Sequence, residues 1–98
     1  MARNQKLTRV IKGRTVQSAT VEPERLVVVF DDHSTMTVKT VPGLALAIST
    51  GGTIKGVLED AAEWTLKFED GSSVTVKLAN PGASVAVRAR NSTVEYLG

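Results

Sequence analysis

His33 is the single histidine of this 98-residue chain, and it directly follows Asp31 and Asp32. Imidazole beside carboxylates is a common arrangement for holding a metal or moving a proton. Two features oppose that use here. No second histidine exists, and aspartates gather in turns because their carboxylates accept local backbone hydrogen bonds, while neighbouring turn side chains diverge. A solvated turn is the expectation, and Glu69-Asp70 repeats the device later in the chain. A serine nucleophile would need an imidazole base and an orienting acid, so setting His33 aside also removes acyl transfer. Gly51-Gly52-Thr53 lacks the lysine and following helix of a phosphate loop and reads as a β-turn. Asn91-Ser92-Thr93 fits a glycosylation acceptor, but the polar stretch Met1 to Lys6 has no apolar leader, and the tripeptide also reads as a turn. No catalytic, cofactor-binding or metal-ligating residue is assigned, and the expectation is a protein that is not an enzyme and carries no cofactor.

One charge feature stands out. Residues 1 to 21 hold Arg3, Lys6, Arg9, Lys12 and Arg14 and no acid, whereas the remainder has seven basic and ten acidic side chains. Five cations within twelve residues can contact phosphates and release counterions, as small β-barrels of Sm-like, SH3-like or OB type do with RNA and DNA. Against this, the body of the chain is acidic, and the stretch also reads as a solvated tail leading into a first strand. The four aromatics do not add a base-stacking platform. Phe30, Trp64 and Phe68 fall on the apolar phase of their segments and are assigned to the core, and Tyr96 to a rim or interface.

These residues must be carried by something, and the chain is short. A single domain is expected over 1–98, with an ordinary 42% hydrophobic and 22% charged composition. No cysteine is present, which excludes disulfides and thiolate chemistry and suits the cytoplasm. The longest apolar runs, Leu26 to Phe30 and Leu44 to Ile48, are far too short to span a bilayer, so no membrane is expected.

The architecture follows from an internal repeat. An offset of 38 aligns residues 13–39 with 51–77 without a gap and leaves eight of 27 positions identical. Six of the eight, including Phe30/Phe68, Asp32/Asp70 and Ser34/Ser72, lie in the ten residues from Phe30. Within each copy the pattern alternates. Leu26, Val28 and Phe30 share a face, as do Trp64, Leu66 and Phe68, with Thr65 and Lys67 opposite them. Asp70-Gly71 suits a tight hairpin turn, and Asp32-His33 in the first copy demands either a looser turn or a left-handed His33.

Pro42-Gly43 and Pro81-Gly82 then break the pairing. A partial repeat is expected over 84–98, and Leu7 to Lys12 is read as a strand preceding the first copy. The segment near 44–49, rich in leucine and alanine, suits one short helical turn. The expected fold is all-β: two tandem antiparallel β-meander repeats forming a small barrel or sandwich. The leading expectation for function is a non-enzymatic binding or assembly module, joining a protein partner or a second copy through a sheet edge. Nucleic-acid binding through Arg3, Lys6, Arg9, Lys12 and Arg14 is the alternative.

Overall fold

A computed structural model describes residues 2–42 and 50–98. The segment expected to form a helical turn near 44–49 lies outside the described residues. Within them the fold is antiparallel β with one short helix. The elements run β1 (Ala2–Arg3), α1 (Gln5–Ile11), β2 (Val16–Glu22), β3 (Arg25–Phe30), β4 (Thr35–Lys39), β5 (Ile54–Asp60), β6 (Glu63–Phe68), β7 (Ser73–Lys77), β8 (Val85–Arg88) and β9 (Val94–Leu97). They form a four-stranded sheet, β1-β5-β6-β7, and a five-stranded sheet, β2-β3-β4-β8-β9. Among the described residues the sheets do not close into a barrel; their inner faces share one core.

The two copies superpose in register. Leu26 faces Val38 and Trp64 faces Val76; Val16 faces Phe30 and Ile54 faces Phe68. Even the irregularity is repeated, with a bulge between Val16 and Ser18 and its counterpart between Ile54 and Gly56. Alternation decides which side chains are buried. Leu26, Val28, Phe30, Val38, Trp64, Leu66, Phe68 and Val76 all lie in the core. Thr65, expected on the solvent face with Lys67, is buried instead, and its hydroxyl pairs across the sheet with that of Thr75 at 2.8 Å. The first hairpin is as tight as the second. His33 takes φ 70° where the second copy has Gly71 at 91°, and the N–H of each residue donates to the carbonyl of the preceding phenylalanine, Phe30 or Phe68.

The repeats meet about an approximate two-fold axis. Thr15 bridges Thr53, its own counterpart, and Thr40 bridges Leu78, again its counterpart at offset 38. The surrounding bonds come in symmetric pairs: Val16 N–H to Gly52 O with Ile54 N–H to Arg14 O, and Val41 N–H to Lys77 O with Ala79 N–H to Lys39 O.

The chain ends break this symmetry, and one expectation with it. In place of the strand expected over Leu7 to Lys12, Gln5–Ile11 is helical. The spacing of Leu7, Val10 and Ile11 is helical, and Asn4 caps the first turn by accepting from the Leu7 N–H at 3.0 Å. Leu7 and Ile11 are wholly buried. The N-terminal stretch is therefore no solvated tail. β1 pairs with β5 in the second repeat, while β8 pairs with β4 in the first.

Candidate functional site

The five basic residues separate into two environments. Arg3, Arg9 and Lys12 surround a surface hollow of about 270 Å³ with Gln5 and Thr8. Three features put them there. Arg3 ends β1, opposite Leu58 of β5. Arg9 and Lys12, three apart at the end of α1, fall on one side of the helix. Thr8, buried between helix and sheet, anchors the unit: its Oγ1 accepts from the Val57 N–H at 3.0 Å. Gly56 lies beside this unit, where even a β-carbon would make only ordinary contact, 3.4 Å from Thr8 Cγ2 and 3.8 Å from Arg3 Nη2. Asn4 ties the helix start across the molecule, donating to Glu59 Oε1 at 2.7 Å and to the Tyr96 hydroxyl at 3.0 Å. Lys6 is exposed on the same helix but does not line the hollow.

Arg14 belongs elsewhere. Its two Nη atoms each donate to one oxygen of Glu95 at 3.0 Å, Nη1 also donates to Ser34 Oγ at 2.8 Å, and Nε is 3.5 Å from Asp32 Oδ2. The guanidinium lies 5.9 Å above the Phe30 ring centroid, and the side chain is only 17% exposed. A guanidinium so engaged is withdrawn from phosphate contact. The Asp32 carboxyl accepts the Ser34 N–H at 2.9 Å and the Ser34 hydroxyl. The Ser34 hydroxyl above all, then its backbone N–H and the nearby Arg14 charge, hold this carboxyl below the usual carboxylate range, outweighing partial burial. In the second copy Asp70 makes the same bonds with Ser72, at 2.9 and 2.6 Å, and is lowered for the same reason, the hydroxyl first.

His33 stands exposed in its turn. No group of three or more histidine, cysteine or acidic side chains able to hold a metal occurs among the described residues. No helix among them is long and apolar enough to cross a membrane. A larger hollow, about 640 Å³, lies beside Glu22, Arg25, Lys39 and Thr40, where Arg25 is already paired with Glu22 at 2.9 Å. β9 is an outer strand of its sheet, with Val94 42% and Leu97 68% exposed.

Sequence reasoning missed Asn4, Thr8 and Glu95. Asn4 three residues before Leu7 is a readable cap signal. Glu95 carries none, since its pairing with Arg14 spans 81 positions. Compared with protein-family models, with curated proteins and with solved structures, the chain matches none of them.

Proposed function

We propose that this domain is a non-enzymatic binding and assembly module that joins a second copy of itself through β9. The carrying observation is the exposure of Leu97 and Val94 on an outer strand. Beside Leu97 runs a hollow of about 360 Å³ walled in part by Ala83, Val85 and Ala86. An outer strand offers unpaired backbone groups, and apolar side chains along it favour covering by another chain. Pairing β9 with β9 about a two-fold axis uses the same patch twice and closes after two copies. The non-enzymatic part of the reading rests on the exposed, left-handed His33 and on the engagement of Ser34 and Ser72 within their own turns. The cysteine-free composition supports a reducing compartment, the cytoplasm.

Sedimentation equilibrium across a range of concentrations tests the assembly. The expected result is a monomer–dimer equilibrium that Leu97→Lys shifts to monomer while the circular dichroism spectrum is retained. A wild-type chain that stays monomeric throughout, or a variant that dimerises equally well, overturns it.

A second reading, phosphate binding to nucleic acid, is supported by the convergence of Arg3, Arg9 and Lys12 on an ordered helix and strand. Rigid presentation lowers the ordering cost that a flexible basic tail would meet on binding.

A further inference from the structure

The second repeat contains the Arg14 site without its arginine. At offset 38 Arg14 corresponds to Gly52, Phe30 to Phe68, Asp32 to Asp70 and Ser34 to Ser72. The scaffold around the two positions is the same. Ile54 N–H donates to Arg14 O and Val16 N–H to Gly52 O, both at 2.9 Å. Asp31 and Glu69 N–H likewise reach the carbonyls of Thr15 and Thr53. The Asp-x-Ser turn keeps its hydrogen bonds in both copies. Where the guanidinium rests in the first copy, the second has a hollow of about 280 Å³ lined by Gly52, Phe68, Asp70 and Ser72, with Thr50 and Val74 at its sides.

The chain cannot fill this hollow from position 52. A β-carbon at Gly52 would come within 2.8 Å of Phe68 Cδ1 and 3.1 Å of Cε1, so a side chain there would have to displace the ring. The ring itself is left slightly open, at 4% exposure against 0% for Phe30. Asp70 is ionised at neutral pH, exposed, and bonded through Oδ1 to Ser72 in its own turn, while Oδ2, the oxygen that its counterpart Asp32 turns to Arg14, has no hydrogen bond among the described residues.

We propose that the hollow between Gly52, Phe68, Asp70 and Ser72 receives the arginine side chain of a partner protein. The first repeat is the precedent within the molecule: a guanidinium lying over the phenylalanine ring, donating to the serine hydroxyl and paired with the aspartate. Arginine fits better than lysine, because its planar fork can face a ring and donate in two directions at once. Glu95, which adds a bidentate pair to Arg14, has no counterpart among the described residues lining the second hollow, so Asp70 is the carboxylate on offer and binding to an isolated side chain is weak. The site is separate from β9, so the proposal does not rest on the dimer.

Nuclear magnetic resonance titration of the full chain with N-acetyl-arginine amide provides the test. The amide signals of Gly52, Asp70 and Ser72 are expected to move in a saturable way. N-acetyl-citrulline amide, the neutral analogue, should leave them in place. Asp70→Asn, which keeps the turn acceptor but loses the charge, should weaken binding about threefold, the size expected of an exposed ion pair. Leu97→Lys should bind the probe as wild type does, which separates this site from the assembly surface. Equal shifts with the citrulline probe, no shift at these amides, or an unaltered affinity in Asp70→Asn would each overturn the proposal. So would a fall in self-association on Asp70→Asn, because the arginine would then come from a second copy.

Discussion

The hydroxyls of Thr15 and Thr53 lie 3.2 Å apart, and these two residues are each other's counterparts in the repeat. A residue that meets its own equivalent across an antiparallel bridge lies on an axis of two-fold symmetry. The single-chain domain is thus arranged as a dimer of repeats would be, with this hydroxyl pair on the axis. Thr15→Val and Thr53→Val should each cost about 1 kcal/mol, the usual net worth of one partly buried hydrogen bond. Because both remove the same bond, the double variant should cost clearly less than the sum. Denaturant melts of the four proteins in the cycle measure it; strict additivity would show that the hydroxyls do not interact.

Trp64 is wholly buried, and its indole N–H has no hydrogen-bond partner among the described residues. Trp64→Ala should cost roughly 3–5 kcal/mol through the cavity it leaves. Trp64→Phe should cost much less than that, because an unsatisfied donor leaves with the lost volume and offsets part of it. Urea unfolding followed by circular dichroism ranks the two, and a phenylalanine variant as unstable as the alanine variant refutes this account.

His33 and Gly71 occupy the same left-handed position of equivalent hairpins. Only glycine adopts that conformation without strain, so His33→Gly should raise stability by about 1 kcal/mol. Gly71→His should lower it by a similar amount. Thermal unfolding of both variants reads the two signs, and the prediction fails if they agree.

Asp32 and Asp70 both ionise below the usual carboxylate range, chiefly because the hydroxyls of Ser34 and Ser72 donate to them. Folding therefore favours the charged forms. The stability they contribute is present above the unfolded carboxylate value of about 3.9 and fades as the pH falls through their lower folded values. Asp32→Asn and Asp70→Asn should flatten the acid side of the stability curve below about pH 4. Urea midpoints between neutral and strongly acidic pH are the measurement.

For the basic hollow, the log–log dependence of oligonucleotide affinity on salt counts the phosphates contacted. Replacing Arg3, Arg9 and Lys12 by glutamine should flatten that slope, while Arg14→Gln should leave it alone and destabilise the fold by about 1–2 kcal/mol through loss of its charged hydrogen bonds. Fluorescence anisotropy at several salt concentrations gives the slopes. An equal effect of Arg14→Gln, or no binding by the wild type at low salt, removes the nucleic-acid reading.

Much of the central fold was legible in the sequence because the clues were local and doubled. The strand alternation from Leu26 to Phe30 and from Trp64 to Phe68, and the Asp-x-Ser turns, appear twice at one offset, so each copy supports the other. The N-terminal helix is not legible in this way, because the repeat, continued backwards over Leu7 to Lys12, predicts a strand where a helix forms. Seven residues of mixed propensity adopt whichever form their neighbours allow, and here Asn4, Leu7 and Ile11 dock on β5 as a helix. The site was legible only in part. Arg3, Arg9 and Lys12 converge through pairings some 55 positions away, and Arg14 is claimed by Glu95, 81 positions on. No local pattern carries either relationship.

The exchange of ends bears on how the molecule can acquire its shape. β1 and α1 precede the first repeat yet complete the second, and β8 and β9 follow the second yet complete the first. Neither half is a finished unit, so beyond the local hairpins each sheet is completed only by pairings that close long stretches of chain, and folding should be slow and all-or-none for a protein of this length. The same wiring makes fragments 1–42 and 50–98 complementary. Each lacks what the other carries, and mixing them should restore the native spectrum that neither attains alone.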